Sequence, residues 1–255
     1  MRIRFTLPLL FTVLLGSTLF SQTHELPRFA TDAERNIENP PEITPIGITT
    51  PPTAPVRTMA EWEELQALII TWNGQNTILA EIVRAAREEC NVVICCENQN
   101  VVAQAKAKLT SSGVDFSTNV TFLVAPNNSI WVRDYGPNCV YANDVDSLYF
   151  VDWVYNRTTR PKDDTIATSV APYFGVPLYS TSAAPTDMVN TGGNFMSDGM
   201  GTAFASSLIL DENEPGNPYG VTAKTEQQID GILSNFMGID RYIKMERIPS
   251  ICCSV

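Results

Sequence analysis

One histidine, His24, is all the imidazole in this 255-residue chain, which also has no Cys-x-x-Cys pair. A zinc site therefore has little support, and no metal site is expected. His24 lies in a proline-rich stretch with nothing beside it to hold a base in place, so it reads as a bystander rather than a catalyst. Positive charge is scarce too: 17 Lys and Arg face 28 Asp and Glu, giving a formal net charge of -11 and a sequence pI of about 4.5. A phosphate backbone would be repelled, so nucleic acid is not an expected partner. A cationic ligand such as a guanidinium would be attracted, although an acidic balance also simply serves solubility. The one long apolar run is at the N-terminus; nowhere else does the sequence approach the roughly 20 apolar residues of a membrane helix.

What is there begins with Met1-Arg-Ile-Arg4, the apolar stretch from Phe5 to Phe20, and the small or polar Ser21-Gln22. This is the build of a secretory signal peptide over residues 1–21. Pro8, Gly16 and the short span argue against a membrane helix, with an uncleaved anchor as the alternative. The mature protein is expected to be secreted or periplasmic, with no membrane span. Residues 22–58 carry seven prolines, from Pro27 to Pro55, with little periodicity, which favours an extended leader to which no fold is assigned. Residues 59–255 make the folded domain, and a hydrophobic content of 44% is enough for one sizeable core.

Strands and helices alternate along that domain. Leu65 to Trp72, Val92 to Cys96 and Val120 to Val124 read as buried strands, separated by helical patterns over Asn76 to Glu89 and Val101 to Leu109. Asn138 to Tyr141 and Leu148 to Trp153 read as two strands joined by a turn at Asn143-Asp144-Val145-Asp146. Asp164 to Phe174 predicts a helix and Val176 to Tyr179 a strand, and Ser206 to Leu210 continues as strand. Thr222 to Phe236 predicts a helix with Lys224, Glu226 and Asp230 exposed and Ile229, Ile232 and Leu233 facing in, before a last strand from Tyr242 to Ile248. By itself this alternation suggests an α/β layered sheet. Six cysteines in an exported chain invite disulfides, but Cys95 and Cys96 fall mid-strand and Cys90 just before it. Buried apolar cysteines are the simpler reading, with pairing of Cys90 or Cys139 left open.

Two stretches carry chemistry. Ser129-Ile-Trp-Val-Arg-Asp-Tyr-Gly-Pro137 places Trp131, Arg133, Asp134 and Tyr135 in a loop directly after a strand, where binding sites tend to be built. A surface turn with a structural Arg-Asp pair and a core Trp would use the same residues. Asn190-Thr-Gly-Gly-Asn194 offers paired glycines, Gly192 and Gly193, that permit positive φ and close approach of backbone to a ligand; a tight structural turn is the alternative. Between them lies Tyr155-Asn-Arg-Thr-Thr-Arg160-Pro161. Arg157 and Arg160 either clamp a carboxylate or pair with Asp163 and Asp164 at the surface.

Trp131-Val-Arg-Asp-Tyr-Gly-Pro137, Thr191-Gly-Gly-Asn-Phe-Met-Ser-Asp-Gly199 and Ala60-Glu-Trp-Glu-Glu64 together closely resemble the bacterial, Porphyromonas-type peptidylarginine deiminase and agmatine deiminase family, over about Met59 to Ile248. The resemblance implies an α/β fold of the pentein type, a five-bladed propeller of which this chain would hold roughly three blades. It implies hydrolysis of a guanidino group to a citrulline-type product and ammonia, with no cofactor, and an arginine-containing peptide or small guanidino compound as ligand. Asp134 then matches one of two carboxylates that bracket the guanidinium, and Trp131 the ring lining the substrate channel. Arg157 matches the arginine that holds a substrate carboxylate, with Arg160 beside it. Arg133, Gly192, Gly193 and Asn194 complete the expected substrate-binding set.

The family's remaining parts have no match. Its general acid/base, a His in a His-x-Asp segment, is expected at or just beyond Ser250 to Val255, and its nucleophilic cysteine much further on. Cys252 and Cys253 stand in the wrong context, with no histidine to make a thiolate. The expectation is a truncated or frameshifted sequence, catalytically incomplete, or a short chain that only binds arginine-like ligands. On substrate, agmatine carries an amine where peptidylarginine carries a carboxylate, so an arginine clamp favours the latter. Thr191 also stands where agmatine deiminases tend to carry Glu. Both point to peptidylarginine or free arginine.

Overall fold

A computed structural model describes residues 25–27, 29–35 and 42–247. The signal-peptide reading, His24, Cys252 and Cys253 fall outside the described residues. Within them the fold is mixed α/β, with three separate sheets and no closed barrel.

The chain opens with a single turn, α1 (Asp32–Arg35), then β1 (Val56–Thr58), β2 (Ala67–Thr71), α2 (Asn76–Ala86), β3 (Asn91–Cys96), α3 (Gln99–Ser111) and β4 (Val120–Val124). Strands β2, β3 and β4 form a parallel sheet in that order, with Ile70 opposite Ile94 and Ile94 opposite Phe122. Two helical crossovers joining neighbouring strands require this parallel arrangement. Alternation along β3 divides its side chains between two cores. Val92, Ile94 and Cys96 pack under α2 and α3, while Val93 and Cys95 face the next sheet. Burial on both faces explains why β3 is apolar throughout.

Next come α4 (Val132–Tyr135), β5 (Asn138–Ala142), β6 (Ser147–Tyr155), α5 (Ile166–Phe174), β7 (Leu178–Thr181), β8 (Val189–Asn190), β9 (Met196–Ser197), β10 (Thr202–Ser206), α6 (Leu208–Asp211), α7 (Glu226–Met237) and β11 (Arg241–Met245). The second sheet runs β1-β5-β6-β7, with β8 pairing the far end of β6, and the third runs β11-β10-β9. The β5–β6 hairpin turns at Asn143 and Asp144, both at positive φ, a conformation these two residue types tolerate. Helix α7 starts at a capping box between Thr225 and Gln228 and ends at Gly238, φ 65. Its Ile229, Ile232, Leu233 and Phe236 share a core with Trp153 and Phe195.

Three expectations change. The strand read into Ser206 to Leu210 ends at Ser206, and Leu208–Asp211 is a helical turn that buries Ile209. The Asn213 amide donates to the Ile209 carbonyl at 2.8 Å and to that of Val189 at 2.9 Å, tying the turn to β8. The three-residue apolar run Leu208-Ile-Leu210 carries no period by which to tell helix from strand. Lys224, expected exposed, is 8% exposed, with its ammonium 2.8 Å from Asp187 Oδ1. It precedes α7 rather than lying on the helix's outer face. The leader, assigned no fold, is partly laid on the domain: β1 pairs with β5, and Ile48 exchanges backbone hydrogen bonds with Leu178 and Ser180 at 2.8 and 2.9 Å.

Candidate functional site

The loop after β4 is held from below before it presents any side chain upward. Asp163 is fully buried and accepts from the amides of Asn128 and Ser129 at 2.7 and 3.0 Å and from the Ser129 hydroxyl at 2.7 Å. The Tyr135 hydroxyl donates to the Ser129 carbonyl at 2.5 Å and lies 3.0 Å from Thr71 Oγ1, at the end of β2. Its ring meets that of Tyr155 edge-on, with centroids 5.5 Å apart. The α4 turn is thereby locked to β2, to the end of β6 and to the turn that precedes α5. Trp131, the residue before it, is half-buried and half-packed on the same core.

Asp134 sits on α4 against the Gly192-Gly193 turn. Neither glycine is at positive φ; both are required for space. A Cβ at Gly192 would overlap the Arg133 carbonyl, and one at Gly193 would overlap the Asp134 carboxylate. The close approach expected toward a ligand is therefore made toward α4. Arg133 bridges the same two segments, donating from Nε to the Gly192 carbonyl and from Nη2 to that of Phe195, both at 3.0 Å, and pairing with Glu61 at the surface. Asn194 is turned to the far side, accepting from the Ser206 amide and hydroxyl at 2.8 and 2.7 Å.

At the end of β6 the residues of interest gather. Tyr155 is buried, and its hydroxyl has no hydrogen-bond partner among the described residues. Burial, then the negative charge of Asp134, holds this phenol well above the usual tyrosine range, with Arg157 opposing. Asp134, Tyr155 and Arg157 therefore occupy one electrostatic neighbourhood. Arg157 donates to the Asn156 carbonyl at 2.9 Å and lies within the field of Glu212. Glu212 is buried and accepts from the Asn156 amide at 2.8 Å and the Tyr219 hydroxyl at 3.1 Å. Burial pushes its carboxyl up, against those bonds and Arg157.

Arg160 is placed differently from Arg157. It is 0% exposed, and its guanidinium grips Glu34, with Nε 2.7 Å from Oε1 and Nη2 3.0 Å from Oε2. Neither surface aspartate partner suggested by the sequence is used: Asp163 serves the 128–129 amides, and Asp164 accepts from the Tyr155 amide at 3.0 Å.

A cleft of about 680 Å³ opens at the C-terminal ends of β2, β3 and β4, lined by Glu25, Leu26, Trp72, Asn73, Asn127 and Lys162 among others. The ends of parallel strands are where α/β sheets commonly bind ligands. Trp131 adjoins this cleft through Leu26, whose carbonyl accepts from Trp131 Nε1 at 2.8 Å. The four described cysteines are all free. Burial pushes the thiols of Cys95 up to about 12 and of Cys96 and Cys139 up to about 11, the reverse of an activated nucleophile. Among the described residues there is no cluster of three side chains able to hold a metal ion.

A family model for Porphyromonas-type peptidyl-arginine deiminases matches residues 57–248. The chain belongs to this family. A provisionally named agmatine deiminase of Streptococcus mutans is 24% identical over 237 residues, covering 81% of this chain and 60% of that protein. One from Mycoplasma mycoides subsp. mycoides is 31% identical over 134 residues, covering 49% of this chain and 34% of that protein. Among solved structures, agmatine deiminase of Enterococcus faecalis matches with a TM-score of 0.60 at 21% identity, over 77% of this chain and 56% of its own. The C. jejuni enzyme matches at 0.57 and 21%, over 75% and 55%. At these identities the structural likeness speaks for the fold. The chain spans about a third to three fifths of the length of these relatives.

Sequence reasoning on this deiminase-family chain missed three participants. Glu212 lies in a polar stretch that the sequence marks as loop, Tyr155 opens the basic loop of Arg157 and Arg160 with no role of its own, and Glu34 belongs to a leader given no fold. The contacts that bring Glu212 to Asn156 and Glu34 to Arg160 span 56 and 126 positions, beyond any local signature.

Proposed function

We propose that this chain supplies the guanidinium-recognising part of a deiminase acting on an arginine that bears a free carboxylate, as a peptide's C-terminal residue or free arginine. Asp134 is the carboxylate for the guanidinium, the Trp131 ring walls the approach, and Arg157 receives the substrate carboxylate. The observation that carries this reading is that the buried Tyr155, whose ring meets that of Tyr135 beside Asp134, feels the charges of both Asp134 and Arg157: one anion and one cation in a single polar neighbourhood match a ligand with a guanidinium at one end and a carboxylate at the other. Agmatine, with an amine at that end, would meet Arg157 as a like charge.

The chemistry the family performs needs a thiolate to attack the guanidino carbon and an acid to protonate departing ammonia, before water hydrolyses the covalent intermediate. Cys95, Cys96 and Cys139, with thiols raised by burial, are unsuited to the first task, and no histidine lies among the described residues. The reading is accordingly of recognition without complete catalysis. The three sheets are read as blades of a propeller, and the basic-then-apolar N-terminus supports export, where peptides would be accessible.

Calorimetric titration with a tripeptide ending in free arginine tests the reading. Binding is expected, weakened about 10- to 100-fold in Asp134→Asn and in Arg157→Ala. Equal affinity in Asp134→Asn would overturn the assignment of Asp134. Citrulline released by the chain alone, and abolished by Asp134→Asn, would overturn the claim of incomplete catalysis.

A further inference from the structure

The leader's described residues, 25–27 and 29–35, touch the domain at widely separated places. Glu25 accepts from the Gln75 amide at 3.0 Å, the Leu26 carbonyl accepts from Trp131 Nε1 at 2.8 Å, and Glu34 lies in the fork of Arg160. The Thr159 hydroxyl adds a further bond to Glu34 Oε1 at 2.8 Å, and Arg160 Nη2 also reaches the Phe29 carbonyl at 3.2 Å. The segment thus runs from the cleft at the ends of β2 to β4, past Trp131, to the end of β6. Its one turn of helix is four residues long, far too short to persist by itself. Thr31 and Glu34 bond reciprocally, amide to carboxylate at 2.7 Å and amide to hydroxyl at 3.3 Å, which aims the Glu34 carboxylate.

The decisive feature is on the domain side. Arg160 is fully buried, yet every hydrogen bond that its guanidinium makes among the described residues goes to the segment: two to Glu34 and one to the Phe29 carbonyl. Nη1 has no partner. A buried guanidinium is costly unless paired; here the domain contributes the field of Asp163 but, among the described residues, no hydrogen-bond acceptor. A planar fork with an adjacent hydroxyl, Thr159, is a receptor for a carboxylate. In this structure the carboxylate it receives is the chain's own. Burial by itself would raise the Glu34 carboxyl, but the bonds from Arg160, Thr31 and Thr159 outweigh it and hold the group at about 2, so it stays charged.

We propose that the leader's described residues, 25–27 and 29–35, are an in-cis occupant of a carboxylate-binding groove formed by Trp131, Thr159 and Arg160, and that a ligand whose free carboxylate is received by Arg157 and Arg160 together competes with Glu34 for it. The proposal rests on the reading of this face as the ligand-binding face given under Proposed function. It adds that the groove is closed by default and that affinity for free-acid peptides is set by the leader.

The test uses the whole chain, its Glu34→Gln variant and Arg160→Ala. Hydrogen exchange reports on residues 25–35, and titration is done with a tripeptide ending in free arginine, its C-terminal amide, and agmatine. Glu34→Gln is expected to raise exchange across 25–35 and to tighten the free-acid peptide at least about tenfold, with no gain for the amide. Arg160→Ala is expected to release the segment without that gain. Unchanged protection of 25–35 in Glu34→Gln, or equal free-acid affinity in the two forms, overturns the proposal. The agmatine arm separates the two readings, because agmatine has no carboxylate. Agmatine binding that is lost in Asp134→Asn, alongside equal peptide affinities, sinks the leader proposal alone. Absence of any binding to a released Glu34→Gln groove sinks both.

Discussion

Replacing each member of the glycine pair by alanine separates what holds the site together from what the site does. At Gly192 the new methyl would overlap the Arg133 carbonyl, a backbone atom of α4. Relief requires the turn and α4 to move apart, breaking the 3.0 Å bond from Arg133 Nε to the Gly192 carbonyl. Overpacking against a fixed neighbour costs about 1–3 kcal/mol, and in a domain of this size each kcal/mol lowers Tm by about 2–4 °C. At Gly193 the overlap is with the tip of the Asp134 side chain, which escapes by rotating, at about 0.5–1.5 kcal/mol. The Asp134 carboxylate is then no longer aimed where it was. A hydrogen bond to a charged group is worth about 1.5–3 kcal/mol, so binding of a guanidino ligand falls about 10- to 100-fold. Thermal unfolding and calorimetric titration of both variants give the pair of numbers. Gly192→Ala is expected to lose the more stability, and Gly193→Ala to lose affinity with a small change in Tm. Gly193→Ala with wild-type affinity would refute the claim that Asp134 is held in place by the turn.

Two further outcomes concern charges outside the site. Lys224→Met leaves the buried Asp187 facing the hydroxyl and amide of Thr222 without its cation, and breaking a buried pair in this way costs about 3–5 kcal/mol, measurable by urea denaturation. Burial acts to raise Asp187, but Lys224 and Thr222 outweigh it and hold the carboxyl below its ordinary value. Its contribution to stability is therefore present at neutral pH and lost as pH falls through the depressed folded value. Asp164 behaves oppositely. Burial, with Asp163 adding repulsion, pushes it up to about 6 against the bond from the Tyr155 amide. The folded state then holds more protons than the unfolded state between about pH 4 and 6, so this group makes stability fall as pH rises across that window, by up to about 1.4 kcal/mol per pH unit. Stability curves of wild type and Asp164→Asn should differ by that slope; parallel curves would remove the assignment.

The sequence reading located β2, β3, β4, α2 and α3 to within a few residues because each is long enough to show its period and is bounded by a turn signal such as Asn73-Gly74 or Gly113. It also singled out Trp131 to Pro137 and Thr191 to Gly199, the two segments that the structure packs against each other through Gly192 and Gly193. Local pattern failed where a residue's role is decided across the fold. Lys224 looks like one more exposed lysine near a helix start until Asp187, 37 positions away, takes its ammonium. For Arg160 the sequence offers either a carboxylate clamp or pairing with its neighbours Asp163 and Asp164, yet those two carboxylates accept from backbone amides. A carboxylate that completes the coordination of nearby N–H groups has less to offer a guanidinium. That leaves Arg160 to a partner 126 positions earlier, which no spacing rule reaches.

The last turns of β6 tie these threads to one strand. From Asp152 onward its residues are buried up to Asn156, and the strand is flanked by β7 and β8, which pair in parallel with different lengths of it. The chain leaving this end bends through Asn156, Arg157, Thr159 and Arg160, which meet respectively Glu212, the field of Glu212, Glu34 and Glu34 again. Three parts of the molecule remote in sequence, the leader, α4 and the end of α6, therefore meet on six consecutive residues, 155 to 160. Because successive strand residues point to opposite faces, a one-residue slip of β6 against β5 would turn Tyr155 away from Tyr135 and break the edge-on ring contact that fixes α4. The register of one hairpin, set by Asn143 and Asp144 at positive φ, thus decides whether Asp134 and Arg157 share a neighbourhood. A change in that turn, far from any ligand, should be felt first as lost ligand affinity and only second as lost stability.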